Sequence, residues 1–181
     1  MELKRLAALG PHLDAVGLLE PGVPQQPYFC TPLDAESVAR LGVDGIHFVR
    51  LPGDARIFCV DPAMGEIGTY VLPVAEDLCQ FLAYVLYCGD ANPISQIHWL
   101  SRERFRALLE EGQEDDWPGA EAYFARKSAA LRDIAAAFGL EPADPYDAVK
   151  AMQRAFDPKL LRFSAAYYDT LGLEMPDDRE V

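Results

Sequence analysis

The sequence predicts an α+β fold, an antiparallel sheet of about four to six strands with helices packed around it. Two β-rich runs, 46–51 and 56–60, flank the turn 52–55 (Pro-Gly-Asp-Ala), which is typical of an antiparallel hairpin. A strong amphipathic helix pattern follows at 76–88. The order is helix, then strands, then helices, which favours an antiparallel sheet over alternating βαβ units.

The elements up to the sheet can be assigned in chain order. Residues 2–9 predict a short helix that ends at Gly10-Pro11. Thr31, followed by proline and then by Asp34, has the pattern of a helix N-cap, so we expect a helix from 31 to about 41. A third strand is predicted at 68–72 and a further candidate strand at 16–19. Large apolar residues on both faces of the hairpin predict helical cover on part of each face.

The rest of the chain is predicted to be helical. The apolar residues of 76–88 recur at helical spacing, and Gln80 is the only strongly polar residue past the first turn, so this helix should form the buried centre. Ser101 is a candidate N-cap for a helix through Glu111. Further helices are predicted at 94–100, 121–138 and 144–156, with an acidic linker at 113–119 and a mixed tail from 157 that frays at 176–180.

The chain length and the counts of charged residues predict one acidic domain. A length of 181 residues fits a single domain over 1–181, with the sheet and central helices at about 27–112 and a C-terminal helical part at about 119–173. Acidic residues outnumber basic ones by 29 to 16, which gives a formal net charge of -13. Such a surface disfavours nucleic-acid binding and attracts a basic protein partner, although acidity can also serve solubility alone.

The sequence predicts a cytoplasmic protein that does not enter a membrane. The most apolar run, 78–88, is far shorter than the roughly 20 residues of a spanning helix. The first residues lack the apolar segment of a signal peptide. The four cysteines are scattered, with no C-x-x-C pair, which indicates reduced thiols in the core.

Motifs for catalysis or cofactor binding are missing from the sequence. The three histidines do not have the spacing of zinc ligands. Phosphate-binding glycine loops and the G-x-S-x-G motif are absent. A Cys59–His47 pair across the hairpin is one possible nucleophile and base, but packing partners are the simpler interpretation. We therefore predict neither an enzyme nor a bound cofactor or metal.

Three features remain as candidates for partner binding. Trp99 has the amphipathic ring favoured in interface hot spots, although it could instead anchor the short helix to the core. The Tyr167-Tyr168 pair predicts one buried and one exposed ring. An acidic segment with one aromatic residue could meet a basic partner, or could simply be a solvated helix end and linker. Its candidate residues are Glu110, Glu111, Glu114, Asp115, Asp116 and Trp117.

Several segments together have a familiar pattern. They are VDGIHF at 43–48, IFCVDP at 57–62, PVAEDLCQFL at 73–82, CGDAN at 88–92, QIHW at 96–99, DPY at 144–146, FD at 156–157 and YYDTLGL at 167–173. Over roughly 27–173 the chain resembles the SUKH superfamily (SMI/KNR type), in its bacterial branch akin to the fungal cell-wall assembly regulators. The Trp-Gly pair that many members carry on a core strand is absent from this sequence.

The resemblance implies a one-domain α+β fold and a non-enzymatic role. Many bacterial members are thought to be immunity proteins that bind and neutralise a toxin, often a nuclease, whereas fungal relatives act as signalling scaffolds. We therefore expect an immunity-type protein that binds a basic toxin through an acidic surface. An intracellular regulatory scaffold and an uncharacterised hydrolase with scattered carboxylates are the alternatives.

Overall fold

A computed structural model describes residues 2–112 and 116–176 of the chain. Within these residues the sheet has four strands in the order β1-β2-β3-β4, all neighbours antiparallel. The strands are β1 Glu36–Arg40, β2 His47–Arg50, β3 Ile57–Val60 and β4 Val71–Ala75. Helices pack around the sheet, so the predicted α+β class is confirmed, with a strand count at the lower end of the expected range.

The predicted hairpin forms β2 and β3. Phe48 lies opposite Cys59, and Val49 lies opposite Phe58. Because neighbouring residues of a strand point to opposite faces, Phe48 and Cys59 face one core while Val49 and Phe58 face another. Both faces of the sheet are therefore buried, as the apolar character of the two runs predicted.

The helix expected at 31–41 is wrong, because residues 36–40 form the edge strand β1. Asp34 has a backbone φ of 58°, a left-handed conformation that interrupts a right-handed helix. The Thr31 hydroxyl accepts a hydrogen bond from the backbone N–H of Tyr28, behind it in the chain, instead of capping a helix. Pairing with β2 and complete burial of Val38 and Ala39 outweigh the local capping pattern.

The third predicted strand begins later and ends later than expected. The segment 73–75, which lies between the predicted strand at 68–72 and the predicted helix at 76–88, belongs to β4. Pro73 lies opposite Phe58 within the ladder. A proline is tolerated there because β4 is an edge strand of the sheet and needs no N–H on its outer side.

The helices account for most of the remaining chain. They are α1 Glu2–Ala7, α2 Leu78–Cys88, α3 Asn92–Gln96, α4 Arg102–Glu111, α5 Ala120–Phe138, α6 Tyr146–Ala155 and α7 Ala165–Leu171, with 3-10 turns at Pro11–Val16 and Pro158–Leu160. The candidate strand at 16–19 is wrong, since only Leu19 bridges to Arg40. The short helix ends at Gln96 rather than at 100, and the tail contains α7. None of the helices within the described residues is long and apolar enough to cross a membrane.

Helix α2 is the buried centre of the larger core, as predicted. The Asp77 carboxylate accepts a hydrogen bond from the backbone N–H of Gln80 and caps the helix, while Gly89 ends it at a φ of 79°. The Phe81 ring lies 4.7 Å from that of Phe48, which joins the helix to the sheet. The C-terminal segment covers the opposite face, where Tyr167 is buried and stacks at 4.0 Å on Phe163.

Candidate protein-binding surface

Helix α4 carries two of the predicted acidic residues. Its first turn is set by Ser101, whose hydroxyl accepts a hydrogen bond from the backbone N–H of Arg104. Phe105 is 1 % exposed and fastens the helix to the larger core. The helix ends at Gly112, whose N–H donates to the carbonyl of Leu108 at 3.1 Å.

Apart from Glu103 in the first turn, the charges at the two ends of α4 run against the helix dipole. Arg102 and Arg104 lie in the first turn, whereas Glu110 and Glu111 occupy the last. Because the C-terminal end of a helix carries partial negative charge, each glutamate there costs about 0.3–1 kcal/mol at low ionic strength. Folding alone therefore does not favour these two acids.

We name Glu110 and Glu111 the acidic end. Both are exposed, and neither forms an ion pair with any residue in the part of the chain that the structure describes. Asp116 is also exposed. Glu114 and Asp115, two of the predicted binding residues, lie outside the described residues. The acidic end therefore presents two uncompensated negative charges to the solvent.

An apolar groove of about 230 Å³ lies beside the acidic end. We call it the α4–α5 groove. Leu108, Leu109 and Gly112 of α4 line one wall, and the other walls come from the end of α2 and from α5. The apolar lining from those two helices is Leu86, Tyr87, Phe124 and Leu131. The helix turn that holds the acids thus also supplies apolar surface to the groove.

The lysine of the groove already has an acidic partner. Lys127 Nζ lies 3.4 Å from Asp90 Oδ2, and its side chain is 12 % exposed. The same ammonium group lies 5.8 Å from the centre of the Tyr123 ring. Asp90 therefore offsets the charge of this lysine within the groove.

Trp117 is 45 % exposed and lies just before α5. Its ring centre is 5.6 Å from that of Tyr123 at an angle of 59°. The Tyr123 hydroxyl in turn donates to the carbonyl of Ala15 at 3.3 Å. The exposed indole is thus held against a ring that is itself fixed to the N-terminal part of the fold.

Trp99 lies at the opposite end of α4 from the two glutamates. The ten residues of α4 separate them by roughly 15 Å along the helix axis. Trp99 is 40 % exposed, and its ring packs edge-on at 4.2 Å against that of His98. One basic side chain lies near it, since Lys150 Nζ donates to the carbonyl of His98 at 2.8 Å. The structure does not bring Trp99 and the acidic end together.

The Cys59–His47 pair considered from the sequence does not form. His47 lies opposite Val60, so the thiol and the imidazole point to opposite faces of the sheet. The imidazole instead meets the Thr31 hydroxyl at 3.1 Å and the Gly45 carbonyl at 2.8 Å. Burial lowers the pKa of His47 and raises that of Cys59, which leaves both groups uncharged at neutral pH.

The other thiols are poor nucleophiles as well. Burial raises the pKa of Cys30 to about 12, and it also raises the pKa of Cys88. All four cysteines are free thiols. Within the described residues, no three or more His, Cys, Asp and Glu side chains lie where they could hold a metal ion.

The sequence pointed to the acids and missed the groove. Leu108 and Leu109 are not among the candidate binding residues predicted from the sequence, yet both are half-buried and line an open surface. The sequence feature that could have indicated the groove is Tyr87, a polar aromatic residue at the end of an apolar helix. In the structure, Tyr87 is 42 % exposed. No model of a known protein family matches the chain, and neither a curated protein nor a solved structure matches it significantly.

Proposed function

We propose that this chain is a non-enzymatic protein-binding domain of the immunity type, which neutralises a basic, nuclease-like toxin. The observation that carries the proposal is the pair of unpaired glutamates, Glu110 and Glu111, beside the apolar α4–α5 groove. The helix dipole disfavours acids at this position, so a role outside folding explains them better than stability does.

The two parts of the surface supply different contributions to binding. The groove can accept an apolar or aromatic side chain, the kind of buried anchor that dominates interface energies. The glutamates at its edge would lie in the rim, where charge mainly accelerates association and selects the sign of the partner. A basic protein with an apolar side chain among its cations matches both parts.

The net charge of the whole chain also favours a basic partner. A chain with 29 acidic and 16 basic residues attracts a cationic protein from a distance of about a Debye length, near 8 Å at physiological salt. The resemblance to the SUKH superfamily supports the same role, because many of its bacterial members are thought to neutralise toxins. We place this activity in the cytoplasm, where a delivered nuclease would act.

The test is co-expression with the product of the gene next to that of this chain, which we expect to encode a basic toxin. We expect growth to be restored and the two proteins to co-purify, with an affinity that falls as salt is raised. Failure of both rescue and complex formation would rule out the immunity role. A housekeeping protein recovered instead would favour the regulatory scaffold.

The surface is tested by replacing Glu110 and Glu111 together with lysine. We expect rescue and complex formation to be lost in this variant. Its matched control is Glu103→Lys together with Glu66→Lys, which makes the same charge change at two exposed positions outside the groove lining, so it should leave binding intact. Equal loss of binding in both variants would show that total charge, and not the acidic end, recognises the toxin.

A further inference from the structure

A buried carboxylate follows strand β3. Asp61 is 2 % exposed, and its Oδ1 atom accepts hydrogen bonds from the backbone N–H groups of Ala63 and Met64, at 3.1 and 2.9 Å. These contacts form the turn that ends the strand. The other carboxylate oxygen, Oδ2, is equally buried but has no hydrogen-bond partner among the described residues.

Asp61 lines a cavity of about 10 Å³ between the sheet, α3 and α6. The polar residues that share its wall are Thr69, Ser95, His98 and Gln153. This volume is at the lower limit for holding one water molecule, and a buried water needs two to four polar partners. The cavity thus has both the size and the lining of a single-water site.

The side chains around the cavity already use most of their donors. The Ser95 hydroxyl donates to the carbonyl of Asn92 at 2.7 Å. The Thr69 hydroxyl donates to the carbonyl of Glu66 at 3.3 Å. Gln153 is the side chain of the lining that still offers free N–H groups.

His98 does not supply a compensating charge to Asp61. Burial lowers the pKa of His98, while the carbonyl of Ser95 and the charge of Asp61 only partly oppose this shift. The imidazole is therefore neutral at neutral pH and brings no positive charge to Asp61. A buried carboxylate oxygen without a donor is costly, and native proteins satisfy such atoms with protein groups or ordered water.

We propose that this cavity is a binding site for one internal water molecule, which donates a hydrogen bond to Asp61 Oδ2. The lone pairs of the Ser95 oxygen can accept its second hydrogen, and the Gln153 amide can donate to its oxygen. The water then links the turn after β3 to α3 and to α6 through three hydrogen bonds, the usual number for a buried water.

The direct test is a crystal structure at a resolution that shows ordered solvent. We expect one isolated density peak at hydrogen-bond distance from Asp61 Oδ2. An empty cavity, with Gln153 donating straight to the carboxylate, would overturn the proposal. So would a monovalent cation, recognised by shorter distances to several oxygens and by exchange for a heavier ion.

The test in solution is oxygen-17 relaxation dispersion, which detects long-lived internal water. We expect the Gln153→Leu variant to lose the contribution of one water molecule. Gln26→Leu, the same replacement at an exposed position far from the cavity, should keep it. Retention of the full signal in both variants would contradict the site. If Gln153→Leu does not fold, the wild-type crystal structure decides.

Discussion

The two ends of helix α4 have the same backbone conformation and opposite environments. At its start, Arg102 bonds to Asp144 at 3.1 Å and pairs with Asp147, and its guanidinium lies 4.7 Å from the centre of the Tyr146 ring. At its other end, Glu110 and Glu111 have no ion pair within the described residues. The start of α4 is therefore held against α6 by Arg102, whereas the acidic end is exposed to the solvent.

This contrast separates charges that serve the fold from charges available to a partner. Arg102 is satisfied inside the molecule, so it offers little to a second protein. The glutamates lie where the helix dipole opposes them, beside a groove that can hold an apolar side chain. Trp99, one of the two aromatic candidates predicted from the sequence, lies at the start of α4, which contacts α6.

The largest effect is expected from the residue that supports both ends. Phe105→Ala removes a fully buried ring from the core and should lower the free energy of unfolding by about 3–5 kcal/mol. Denaturant titration measures this loss. Leu109→Ala, at a half-buried position of the same helix, should cost clearly less. Equal costs would mean that α4 is not anchored through Phe105.

The second-largest effect is expected on partner binding at the acidic end. The double change Glu110→Lys and Glu111→Lys should weaken the complex with a basic partner about 10-fold or more, equivalent to about 1.4 kcal/mol. Most of the change should lie in the association rate and should fade at high salt. Surface plasmon resonance at two salt concentrations measures both. An unchanged rate would show that the acidic end lies outside the interface.

A smaller effect on thermal stability is expected at the start of α4, where Arg102 contacts α6. Arg102→Ala should lower the Tm slightly and leave partner binding unchanged. The hydrogen bond from Arg102 holds the pKa of Asp147 below its ordinary value of 3.8, so the pair stabilises the fold above that value. This contribution is lost as the pH falls through the lowered pKa of the folded state.

The pH dependence checks that interpretation of Arg102. The difference in Tm between wild type and Arg102→Ala should be present at pH 7 and should shrink in strong acid. An NMR titration of the variant should show the Asp147 pKa returning upward. A Tm difference that is independent of pH would assign the effect to lost packing on Tyr146 instead.

The smallest effect is a gain in stability from changes at the acidic end. Glu110→Gln and Glu111→Gln should each raise the free energy of unfolding by about 0.3 kcal/mol, because a negative charge is removed from a helix C-terminus. Thermal unfolding at low salt measures the gain, which should disappear at high salt. Glu103→Gln at the start of α4 should act in the opposite direction, since hydrogen bonds from its own backbone N–H and from the Ser101 hydroxyl lower the pKa of Glu103.

Much of the fold could be predicted where local pattern and tertiary packing agree. The hairpin, α2 and the Ser101 cap are examples, because the same residues that favour each element also bury it. Strand β1 could not be predicted, because Thr31 and Asp34 imitate a helix start while β2 offers a ladder to the residues that follow. Thr31 and Asp34 are residue types that often begin a helix, but pairing with β2 decides the structure of residues 36–40.

The sequence by itself determined the acidic charge, the central hairpin, helix α2 and the candidate acids of α4. Only the tertiary structure decided that residues 36–40 pair with β2 as a strand, that His47 and Cys59 face apart, and that an apolar groove adjoins the acidic end. The reason is physical. Composition and periodicity follow from each residue and its near neighbours, whereas a groove or a facing pair depends on segments brought together by packing.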